Sequence, residues 1–96
     1  MEQEYNVDFD HILTSDPEGT YSTDPEPYPP MIAALKKKYM AGNIIIIWSA
    51  RWWENAPFLV SWLIKHSVPF HGIFMGKGGS NFYVDDKMIS LEEFLK

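Results

Sequence analysis

Ile44-Ile45-Ile46-Ile47-Trp48 is the segment that most restricts what this chain can fold into. A run of β-branched residues favours extended backbone, because two heavy atoms on Cβ limit χ1 and pack well on a pleated surface. The run has no polar alternation, so neither of its faces is built for water. Such a strand belongs in the middle of a parallel sheet, with helices covering it on each side. It is also far too short to span a bilayer.

Around it, short apolar runs alternate with helical spacing, the signature of βαβ units. Tyr5 to Phe9 predicts a first strand. Asp16-Pro17-Glu18-Gly19 carries the residues of a type I turn, so Ile12 to Thr14 and Thr20 to Thr23 are expected to pair across it as a hairpin. Thr23 to Pro30 is too proline-rich for regular structure and predicts an extended connection. Pro29 and Pro30 suit a helix entrance, where a missing N–H costs nothing. Met31, Leu35 and Tyr39, with Ile32, give that helix one apolar face, and Gly42 stops it. Lys36, Lys37 and Lys38 read as a solvated helix end favoured by the dipole; the alternative is a phosphate-binding patch.

Asn55 is placed to cap a second helix from Ala56 to about His66, with Phe58, Leu59, Trp62 and Leu63 on its buried face. Phe70 to Met75 predicts a third strand and Asn81 to Val84 a fourth. Ser90-x-x-Glu93 is a capping box that opens a closing helix. No repeat or linker interrupts residues 1–96, which form a single domain.

Composition narrows the function. The net charge of −5 argues against coating nucleic acid, which needs a basic patch to displace counterions. Without cysteine there is no disulfide or thiolate metal site. The N-terminus is acidic and lacks the basic start and apolar run of a signal peptide, so a cytoplasmic protein with no membrane partner is expected.

Four polar clusters fall at the carboxyl ends of the four expected strands: Asp8 with Asp10, then Ser49, then Lys77, then Asp85 with Asp86. Open parallel sheets bind ligands at that edge. Carboxylates gathered there repel one another unless a hard cation neutralises them, and an all-oxygen ligand set with room for phosphate favours Mg2+. Ser49 can hydrogen-bond a phosphoryl oxygen, and Lys77 supplies positive charge.

These residues resemble the motifs of the haloacid dehalogenase (HAD) superfamily across nearly the whole chain. Asn6-Val7-Asp8-Phe9-Asp10 is similar to the first motif, and Ile44 to Arg51, IIIIWSAR, to the second. Gly76-Lys77 carries the lysine of the third, and Tyr83-Val84-Asp85-Asp86-Lys87 resembles the fourth. Trp62-Leu63 and the stretch GKGGSNFYVDDK are similar to small capless members linked to capsular or sugar-phosphate biosynthesis.

The resemblance implies a minimal three-layer α/β Rossmannoid fold, with a mostly parallel sheet of about four strands in the order 3-2-1-4 and no cap domain. It implies a Mg2+-dependent phosphatase in which Asp8 forms an aspartyl-phosphate while Asp10 acts as general acid and then base. Asp8, Asp10 and an acid of the fourth motif would hold the metal, with Asp86 favoured as the direct ligand and Asp85 beside it. The family usually shows Gly-Thr at the positions of His11 and Ile12.

Arg51, Trp52 and His11 are expected to meet substrate, Arg51 by orienting a second anionic group. Trp52 and Trp53 either stack on a sugar or base or pack against the helix that follows. His66 reads as a helix C-terminal cation and His71 as structural. With the Ile12 to Thr23 flap as the only cover, an open site implies a bulky substrate, a terminal phosphate, or closure by another subunit in a homo-oligomer. Two rivals remain: a phosphatase of nucleotide or nucleic-acid ends, and a degenerate relative that binds a phosphorylated ligand without turnover.

Overall fold

The computed structural model describes residues 2–16, 22–76, 84 and 86–96. Within them lie β1 (Glu4–Asp8), α1 (Pro29–Met40), β2 (Ile44–Trp48), α2 (Ala56–Lys65), β3 (Gly72–Phe74) and α3 (Leu91–Leu95). The isoleucine run is the central strand, parallel to β1 on one side and β3 on the other. This small α/β arrangement has the 3-2-1 part of the expected strand order. The fourth expected strand lies outside the described residues except for Val84, which is fully exposed.

Pairing register decides where the core forms. Tyr5 lies opposite Ile45 and Val7 opposite Ile47, so these side chains share one face of the sheet. They join Met31, Ile32 and Leu35 of α1, Leu59, Trp62 and Leu63 of α2, and Phe94 of α3 in a single cluster. Phe94 meets the Tyr5 ring edge-on, with centroids 5.3 Å apart. Two right-handed crossovers taken in the same direction along a sheet put both helices on the same side.

The opposite face carries Asn6, Asp8, Ile46, Trp48 and Phe74, and Phe74 is 48% exposed. Of the three layers expected, with helices on each side of β2, the described residues show the sheet and the helices on one side. Among the described residues the helices form one layer, because no crossover there runs to the other side.

Thr14 bridges antiparallel to Pro27, while the expected pairing of Ile12 to Thr14 with Thr20 to Thr23 lies partly outside the described residues. Ser15 N–H donates to Glu26 O and Tyr28 N–H to Leu13 O, so the residues flanking Pro27 supply the bonds that proline cannot. The expected turn at Asp16-Pro17-Glu18-Gly19 falls mostly outside the described residues. Asn55 stands at the cap position of α2 but makes no side-chain cap bond. A 3-10 turn, Trp53–Asn55, already feeds helical backbone into α2.

Elsewhere the helix ends follow their sequence signals. Ser90 Oγ accepts from Glu93 N–H at 3.1 Å. The Lys38 ammonium lies 5.6 Å from the centroids of both Tyr5 and Phe94, so one lysine of the basic run packs on aromatic rings. His71 Nδ1 accepts from Ile45 N–H, the structural role expected of it. No helix among the described residues is long and apolar enough to cross a membrane.

Gly42 ends α1 at φ +92°, and an added Cβ there would have no atom within 4 Å. Gly42→Ala therefore isolates the backbone cost of a left-handed conformation, expected at about 1–2 kcal/mol. The check is urea unfolding: the midpoint should fall while the slope stays constant.

Candidate active site

The carboxyl ends of β1 and β2 define the site. Asp8 closes β1 in register with Trp48, alternates away from buried Val7, and is exposed. Phe9 N–H donates to Trp48 O at 2.9 Å, which extends the pairing one residue past the strand. The Phe9 side chain turns inward and is fully buried, edge-on to Trp62 at 4.9 Å and to Phe58 at 6.3 Å. The chain then folds back, with Leu13 N–H donating to Phe9 O.

His11 adopts φ +67° in this turn. A left-handed backbone carries a Cβ penalty at this non-glycine residue. His11 N–H donates to Thr14 Oγ1 at 2.9 Å, which helps hold the turn. Its Nδ1 lies 3.2 Å from Asp16 O, so the ring expected to meet substrate also leans on its own loop.

Ser49 follows β2 and is 2% exposed. Its N–H donates to Phe74 O, tying it to β3, and its Oγ accepts from Arg51 N–H at 3.0 Å. A hydroxyl has one donor and two acceptor positions, and this contact uses one acceptor position.

Arg51 departs most from expectation. It is 6% exposed and fastens to protein on every side described. Its Nε donates to Asp10 Oδ2 at 3.1 Å and its Nη2 to Asp10 Oδ1 at 2.9 Å, a two-point clamp on the carboxylate. Nη2 also donates to Ser22 O at 2.9 Å. The guanidinium carbon lies 5.6 Å from the Phe9 ring centroid and 5.0 Å from that of Phe58. Arg51 O accepts from Gly76 N–H at 2.7 Å, which fixes the main chain so that the side chain runs inward. A buried guanidinium is tolerated because its donors are matched by carboxylate and carbonyl oxygens. The expectation was that Arg51 orients a second anionic group; its described partners are Asp10 and Ser22 of the chain itself.

Trp52 and Trp53 are 69% and 56% exposed, so neither is buried against α2. Trp53 instead meets Phe74 edge-on at 6.2 Å. Lys77 and Asp85 lie outside the described residues. Asp86 is exposed in a turn, and no three His, Asp or Glu residues gather for a metal among the described residues.

Sequence reasoning placed Phe58 on the buried face of α2 but missed Ser22 and the Arg51 clamp. Arg51 and Asp10 are 41 residues apart, and no spacing rule reaches that far. It also missed Trp62 Nε1 donating to Pro25 O at 2.9 Å, which anchors the connection before α1. An open depression of about 290 Å³, lined by Lys36, Tyr39, Met40, Ser67, Val68 and Pro69, opens where α1 ends and the chain approaches β3. It lies toward the opposite edge of the sheet from Asp8 and holds no carboxylate.

No protein-family model matches the chain, and no curated protein matches it. A crystal structure of a structural-genomics target from Vibrio cholerae is similar, with a TM-score of 0.81 at 29% sequence identity. The similarity covers 99% of this chain and 88% of that one.

Proposed function

We propose that this chain is a HAD-type phosphohydrolase that transfers the phosphoryl group of a small phosphorylated substrate onto Asp8. The observation that carries this reading is the edge built by two adjacent parallel strands. An exposed carboxylate ends one strand, and a buried hydroxyl follows the other, one residue past the Trp48 that pairs with Asp8.

In this scheme an Asp8 oxygen attacks phosphorus, and the bond from phosphorus to the ester oxygen breaks. Asp10 delivers a proton to the departing oxygen. It then takes one from the water that cleaves the aspartyl-phosphate and restores Asp8. Ser49 donates to a phosphoryl oxygen, and Lys77 adds positive charge beside the transferring group.

Mg2+ is the proposed cofactor, held by Asp8, the main-chain carbonyl of Asp10 and the acid pair Asp85 and Asp86. Such an ion commonly takes only one or two carboxylates and completes its shell with water and phosphate, so the exposed Asp8 suits it. When bound it would offset the negative charge of the phosphoryl group.

The test is release of inorganic phosphate from a panel of monoesters, sugar phosphates first, with Mg2+ and after exhaustive chelation. Release that needs Mg2+ and stops on chelation is expected. His11, a non-glycine residue at φ +67° in the turn after β1, favours one rival, a phospho-ligand binder without turnover. That rival is selected if no ester is cleaved while a phosphorylated compound still raises the unfolding temperature.

A further inference from the structure

We propose that Arg51 is a positioning residue: it holds the Asp10 carboxylate in its working orientation and locks the Ser22 end of the connection before α1 to the same site. The assignment to Asp10's chemistry rests on the phosphohydrolase reading; the lock itself does not.

The geometry supports a locking role over ligand contact. Arg51 joins four parts of the chain, two through its guanidinium (Asp10 and Ser22) and two through its main chain (Ser49 and Gly76). It reaches the end of β1 through Asp10, the connection before α1 through Ser22 O, the end of β2 through Ser49 Oγ, and the residue after β3 through Gly76 N–H. Its side chain is 6% exposed and that of Asp10 10%, so the pair is shielded from solvent. A two-point guanidinium–carboxylate contact fixes the plane of the carboxylate as well as its position. The Phe9 and Phe58 rings restrict where the guanidinium can go.

The arrangement still leaves Asp10 able to act. A carboxylate offers about four acceptor positions, and the clamp uses one on each oxygen. The remaining positions are held in a fixed direction. Placement of this kind has large kinetic consequences, since misplacing a reacting group by about 1 Å can cost roughly 10²-fold.

The connection is held along its length, which gives the Ser22 contact its meaning. Trp62 fastens Pro25, and residues 26 and 28 bond to the turn after β1. Arg51 extends that fastening to Ser22 and joins it to Asp10 through the shared Nη2. Loss of the guanidinium therefore loosens both partners together.

The experiment compares wild type, Arg51→Lys, Arg51→Met, Asp10→Asn and the Asp10→Asn/Arg51→Met double variant. Two readouts are taken: steady-state kinetics on the best monoester and thermal unfolding. Arg51→Met should lower kcat by about 10²-fold with KM within about threefold, and Arg51→Lys should recover part of the loss. In unfolding, each single variant should lower the midpoint by roughly 10 °C, and the double variant by clearly less than the sum.

A rise in KM with kcat retained would make Arg51 a substrate contact and overturn the proposal, as would additive midpoint shifts. If Arg51→Met fails to fold, the kinetic decision passes to Arg51→Lys, and wild-type kcat and KM in that variant overturn the positioning role. If wild type cleaves no ester, the phosphohydrolase reading and the link to catalysis fail together. The unfolding cycle then still decides whether the lock exists, and limited proteolysis near Ser22, faster in Arg51→Lys than in wild type, supports it.

Discussion

Asp8→Asn should abolish phosphate release, lowering kcat by more than about 10³-fold while leaving the unfolding midpoint within a few degrees of wild type. The substitution preserves shape and removes the anionic nucleophile. Asp8 is exposed at the end of β1, and asparagine keeps the size of its side chain and its backbone pairing. The decisive measurement is single-turnover phosphate release beside circular dichroism of the same sample. A folded Asp8→Asn protein that turns over at the wild-type rate would remove Asp8 from the chemistry.

Phe9→Ala should be among the most damaging core substitutions, costing about 3–5 kcal/mol. Phe9 is fully buried one residue beyond Asp8 and contacts both Trp62 and Phe58. Its ring also faces the Arg51 guanidinium, so truncation leaves a cavity beside a buried cation. Domains of this size are stable by only about 5–15 kcal/mol, so the variant should be partly unfolded at modest urea concentrations. Trp53→Ala is the matched control: it removes a larger side chain that is 56% exposed, and a shift within about 0.5 kcal/mol is expected. Equal effects from the two would contradict the placement of the core.

The two predictions separate what Asp8 and Phe9 do, although one peptide bond joins them. Alternation along an extended chain sends successive side chains to opposite faces. Asp8 therefore meets solvent at the site, and Phe9 supports the site from within.

Much of this was legible in the chain itself. The unbroken isoleucine run marked the central strand because β-branched residues act on their own backbone. Pro29, Pro30, Gly42 and Ser90 marked helix limits through missing donors, positive φ or side-chain capping, which operate within a few residues. The positions of Asp8 and Ser49 at adjacent strand ends followed from those boundaries.

Tertiary structure alone decided three other matters. The helices gathered on one face of the sheet because crossover direction and hand, not strand composition, choose the side. Thr14 found Pro27 as its partner because a ladder needs donors and acceptors in register, and the residues beside Pro27 offer them. Arg51 clamps Asp10, 41 residues away, because a guanidinium leaving water must find its oxygens wherever the fold brings them. Local pattern sets which elements form; the partners of buried charge depend on segments that meet only once the chain is folded.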